Sequence, residues 1–128
     1  MAAFMKNYQP QAFALVRIFV GLLFFFHGAE KLFAFPAPPP QMPEALRYVA
    51  GALELGCGAL VAVGLFTRWA AFLASGMMAV AYWLAHGTHA LFPIVNGGEL
   101  AVLYCFAFLY IAAHGAGIWS VDAQRGAA

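Results

Sequence analysis

Residues Arg17 to Phe35, RIFVGLLFFFHGAEKLFAF, constrain the fold of this chain more than any other stretch. The run is almost unbroken in its apolar character. As a helix it is long enough to cross a bilayer core of about 30 Å. Yet Arg17 stands near its start, and His27, Glu30 and Lys31 stand near its end. Ionisable groups at membrane depth are costly and turn towards protein or a water-filled cavity. His27 and Lys31 are four residues apart and His27 and Glu30 three, so the three groups share one side of the helix end. The rest of the chain must supply what meets that side.

Composition agrees with a membrane location. Of 128 residues, 65% are hydrophobic and 9% charged, where soluble domains run near half and a quarter. The mean hydropathy is +0.83. The length suits a single domain over 1–128. A net charge of +1 speaks against nucleic acid as a partner. Cys57 and Cys105 lie inside apolar runs and form no CxxC pair. The N-terminal run is too long for a signal peptide and is read as a retained span.

Four apolar runs follow one another, at about 12–34, 44–65, 69–86 and 97–114. PAPPPQMP, residues 36–43, is a stiff extended connection because proline fixes φ and removes a donor. Pro43 suits the first turn of the second span. Thr67-Arg68 makes a tight polar link to the third. Asn96 with Glu99 three residues on has the form of a capping box opening the fourth. The expectation is an all-α membrane protein, an antiparallel bundle of four transmembrane helices in direct contact with the lipid bilayer. Lys6, Arg68 and Arg125 fall on the side of the termini, with Arg17 within snorkelling reach. Lys31 and Arg47 fall on the other. The positive-inside rule then places both termini in the cytoplasm. Trp69 and Trp119 belong to one interfacial aromatic belt, Tyr82 and Trp83 to the other.

This topology gathers His27, Glu30, Lys31, Glu44, Arg47, His86, His89, Asn96 and Glu99 at one end of the bundle. Glu54 lies about 15 Å below the start of the second span. A lone carboxylate there must protonate or pair, and Lys31 is the cation within reach. Two readings of Glu54 stand at equal weight: a structural pair with Lys31 that pins two helices, and a proton-accepting or ligand-binding group. Gly51 and Gly58 on the same face let a neighbouring helix approach. Arg17 is read as a structural anchor, since one guanidinium can satisfy several carbonyls; pairing with Asp122 is the alternative. The histidines are too scattered for a metal or haem site. The cysteines are read as small buried hydrophobes lining an apolar slot.

Three stretches, LVRIFVGLLFFFHGAEKLF (15–33), ELGCGALVAVGLFTRWAA (54–71) and NGGELAVLYCFAFLYIAAHGAGIWSVD (96–122), occur in order over nearly the whole chain. In these the sequence resembles the DoxX family of small bacterial inner-membrane proteins. Glu30 departs from the family's HGxQKL pattern, and Cys57 stands where a small residue is usual. The resemblance implies a multi-pass protein of the bacterial inner membrane and a membrane oxidoreductase subunit. Such a subunit handles a quinone or passes electrons from a soluble or membrane redox partner.

A quinone headgroup needs polar donors and acceptors near the interface and an apolar slot for its tail. His27, Glu30, Lys31, Glu54 and Glu99 are the candidate polar pocket for it. Arg17, Asn96 and Asp122 are the candidate structural residues. The chain carries no dinucleotide fingerprint, so the quinone reading requires a redox partner and leaves catalysis by this chain alone undecided. The alternative is a non-catalytic anchor or assembly module for soluble redox or stress-defence enzymes. A third reading, passage of protons or small solutes along Lys31–Glu54, would need a homo-oligomer.

Overall fold

The structure is a computed structural model that describes residues 3–128. A 3-10 turn, Ala3–Tyr8, leads into α1, Gln9–Phe33. The extended proline segment separates α1 from α2, Glu44–Val63. After a turn of three residues comes α3, Thr67–Tyr82, whose end widens into a π-helical turn, Trp83–Gly87. A single short turn, α4 at Pro93–Asn96, precedes α5, Glu99–His114. The chain closes on a one-turn helix, α6, Val121–Gln124. The described residues contain no strand, and the four long helices form the expected antiparallel bundle.

By length and composition α1, α2 and α3 with its π-turn can each cross a membrane. At 16 residues α5 is shorter, rising about 24 Å. It begins at Glu99, with Gly98 as its N-cap, and not at Asn96. The capping-box expectation for Asn96 is therefore corrected. Asn96 closes α4, and Gly97 with φ 77° reverses the chain before α5 starts. The Asn96 amide instead ties the loop together: Nδ2 donates to the Tyr82 hydroxyl at 2.9 Å and to the Ala90 carbonyl at 3.1 Å, while Oδ1 accepts from Gly98 N–H at 2.8 Å.

The bundle is built as two tight pairs. In α1 and α2, glycines bring the backbones into contact. A Cβ added at Gly21 would lie 2.8 Å from the Gly58 carbonyl, and one at Gly58 would lie 2.8 Å from the Gly21 carbonyl. Gly28 rests in the same way on the backbone of Gly51 and Leu55. The spacing of seven residues, 21 to 28 and 51 to 58, keeps these contacts on one face, as small-residue helix packing requires. In α3 the small side chains Ala70, Ala71, Ala74 and Ser75 are buried and allow the same closeness to α5. The contact between α2 and α3 is much slighter. Phe24 joins the pairs at the centre, its ring 4.7 Å from Phe108 and 5.3 Å from Tyr104.

Each pair is fastened at the end that carries the termini by a side chain from another helix. Arg17 is fully buried. Its Nη1 donates to the carbonyls of Val61 and Ala62 at 3.0 and 2.8 Å, and its Nη2 to those of Ile118 and Trp119 at 3.2 and 2.7 Å. It thereby caps the C-terminus of α2, where carbonyls lack intrahelical partners. Arg68 does the same for α5 through the carbonyls of Ala112, Ala113 and His114. Asp122 does not pair with Arg17. It accepts from Phe66 N–H at 3.1 Å, Thr67 N–H at 3.0 Å and the Thr67 hydroxyl at 2.8 Å, capping the N-terminus of α3 from the far end of the chain. Burial pushes this carboxyl up. The Thr67 and Phe66 donors and the nearby Arg125 charge outweigh that and hold it below its ordinary value.

Candidate functional site

Lys31 lies in the last turn of α1, and Glu54 sits mid-way along α2. The glycine contacts at Gly28 and Gly51 bring α1 and α2 close enough for the two side chains to meet. Lys31 Nζ donates to Glu54 Oε2 at 2.8 Å and to Oε1 at 3.1 Å, with both side chains largely buried. The carboxylate thus has its charge neutralised inside the bundle, which an apolar interior demands.

Glu54 and Lys31 also border empty space. Between α2 and α3 the slight helix contact leaves a cavity of about 840 Å³. Leu46, Val49, Leu53, Phe72, Leu73 and Val80 make its walls, and Lys31 and Glu54 are the charged residues in its lining. Val49, Phe72 and Val80 are exposed on the bundle surface, so this groove opens towards lipid. It runs from Met42 and Leu84 at the loop end to Trp69.

A second cavity of about 230 Å³ lies on another side of Glu54, between α1, α3 and α5. It is lined by His27, Glu54, His86 and Tyr104, with Gly97 and Leu100 at the loop end. Ala81 and Ala85 border both cavities. His86 sits on the π-turn, and its Nδ1 lies 3.0 Å from the Asn96 carbonyl. The π-helical widening matches the frequent placement of such turns at functional sites.

The expected residues are therefore only partly brought together. His27, Lys31 and Glu54 converge. Glu30 stands beside them, its Oε2 3.8 Å from His27 Nδ1. Glu99 is exposed at the first turn of α5 and borders neither cavity. Glu44 is exposed, and Arg47 lies over its own neighbour, 5.0 Å from the Tyr48 ring centre. Cys57 is buried in the core, and Cys105 lies beside Ser75, so neither cysteine lines the groove. Tyr104 is the residue the sequence reading passed over. A phenol inside an apolar span was the available signal, since its hydroxyl needs a polar neighbour.

A four-helix bundle with long apolar faces and a buried ion pair bordering a lipid-facing groove defines a multi-pass membrane protein. A sequence profile of the DoxX family matches residues 12–87. The chain belongs to the DoxX family. It is also 39% identical over 125 residues, 92% of this chain and 93% of the other, to an uncharacterized protein of Haemophilus influenzae. No solved structure matches it.

Proposed function

We propose that this protein is the quinone-handling membrane subunit of an oxidoreductase system, set in the bacterial inner membrane with both termini in the cytoplasm. The observation that carries the reading is the groove between α2 and α3. It is apolar along its length, and Lys31 and Glu54 are the charged residues in its lining. Its volume falls within the range of about 300–1,000 Å³ that small-molecule sites occupy. An isoprenoid tail suits the walls, and the Lys31–Glu54 pair in the lining offers a cationic donor beside a carboxylate.

In this reading Lys31 donates a hydrogen bond to a quinone carbonyl, a bond strengthened by the donor's charge. Glu54 exchanges a proton with the bound headgroup, which its position beside Lys31 permits. Two electrons come from a partner redox protein, and with two protons they convert the quinone to the quinol.

The test is quinone binding, and quinone reduction driven by the partner, in wild type, Glu54→Gln and Lys31→Met. Binding should weaken in both variants. Arg17→Gln, at the far end of the bundle, should leave quinone affinity nearly unchanged. Absence of binding in wild type, or unchanged binding in folded Glu54→Gln and Lys31→Met, rejects the quinone reading in favour of a non-catalytic assembly module. A reporter fused after Ala128 tests the orientation.

A further inference from the structure

We propose that the smaller cavity is a water-filled port through which Glu54 exchanges protons with the aqueous phase at the loop end, separate from the groove that faces lipid. The inference gives Glu54 a proton source whatever occupies the groove, and its test needs no quinone.

Three observations support it. First, the cavity is polar where the groove is not. His27, Glu54, His86 and Tyr104 bring ring nitrogens, a carboxylate and a hydroxyl to a space with room for several water molecules, and a buried water needs about two to four such partners. Second, the cavity reaches the loop end, where Gly97 and Leu100 are exposed and His86 is half-buried. Third, Glu54 borders both spaces, so one carboxylate is reached from water on one side and from the groove on the other.

The groups around Glu54 suit proton movement. From α1 come Lys31, which holds the carboxylate as an ion pair, and His27 with Glu30 beside it. From α5 comes Tyr104, whose ring centre is 5.9 Å from that of His27. From the π-turn comes His86. A carbonyl only accepts, so the contact with Asn96 places the hydrogen of His86 on Nδ1 and leaves Nε2 to take up a proton. An imidazole with one N–H and one free nitrogen can take a proton on one side and release one from the other. A proton arriving on Glu54 from this side neutralises the carboxylate and frees the Lys31 ammonium for another acceptor.

Two measurements test the port in protein reconstituted into bilayers. The first uses single cysteines in a Cys57→Ala/Cys105→Ala background and the charged, membrane-impermeant reagent trimethylammonium-ethyl methanethiosulfonate. Ala101→Cys, in the port, should be labelled about tenfold or more faster than Leu73→Cys, in the groove, because the hydrocarbon region holds no water. Equal rates overturn the proposal. The second uses Lys31→Met, in which the unpaired Glu54 should be protonated and give an infrared carboxyl band, assigned by its loss in Lys31→Met/Glu54→Gln. On transfer to heavy water this band should shift rapidly, and filling the port with Ala101→Phe should slow the shift about tenfold. A shift that Ala101→Phe does not slow overturns the proposal. The labelling measurement needs no bulky substitution and decides alone if Ala101→Phe does not fold.

Discussion

Arg17 Nη2 donates to the Trp119 carbonyl at 2.7 Å, tying the first span to a residue 102 positions later. Trp119 takes a left-handed φ of 56°, a conformation that a non-glycine residue keeps only when its surroundings hold it. Arg17→Met should therefore release the tail and uncap α2 at once. Leaving buried carbonyls unpaired costs about 1–3 kcal/mol each. Thermal unfolding in detergent should show a large loss of stability, and protease should cleave after residue 115 far sooner than in wild type.

The Lys31–Glu54 pair should show the asymmetry of a buried ion pair. Removing one partner costs about 3–5 kcal/mol, whereas an apolar replacement of both is far milder. Glu54→Ala should unfold at lower denaturant than Lys31→Met/Glu54→Leu. A milder single change would mean that the pair contributes nothing to holding α1 on α2.

Gly28 on α1 and Gly56 on α2 differ in what surrounds them: one is pressed on the Leu55 backbone, the other has nothing within 4 Å of an added Cβ. Gly28→Ala should destabilise by about 1–3 kcal/mol or more through overpacking. Gly56→Ala should be neutral or stabilise by up to about 1 kcal/mol, the helix preference of alanine over glycine. Equilibrium unfolding of the two variants side by side distinguishes packing from propensity.

Asp122 makes stability depend on pH in a defined direction. Its folded carboxyl titrates below the ordinary value, so the stabilisation it gives is complete above that value. It is lost as pH falls through the lower, folded value. Melting temperature against pH should fall on the acid side in wild type and fall less in Asp122→Asn. At neutral pH Asp122→Ala should cost about 0.5–2 kcal/mol, the range for loss of a helix N-cap.

The four apolar helices and the meeting of Lys31 with Glu54 were legible in the sequence, whereas Thr67-Arg68, read as the link, opens α3 after the turn at residues 64–66. Hydrophobic run length and the cost of a lone carboxylate are local properties, and topology follows from them. Asn96 misled because the capping-box pattern is defined by two residues, whereas the actual start of α5 depends on the Gly97 turn that follows Pro93. Glu99 was placed at the right end of the bundle, but its rotation about α5 is set by packing that an evenly apolar helix does not encode. The cysteines failed as slot residues for the same reason. The trans caps made by Arg68 and Asp122 were out of reach, because each joins segments more than 40 residues apart.

The slight contact between α2 and α3 has a consequence for how any molecule reaches Lys31. Because the groove is open along its side, a hydrophobic occupant arrives by sliding sideways out of the bilayer and need never dissolve in water. The concentration that governs occupancy is then its mole fraction among the lipids. Binding measured at different lipid-to-protein ratios should collapse onto one curve on that scale and diverge when plotted against total concentration. Detergent chains, which enter by the same sideways path, should act as competitors.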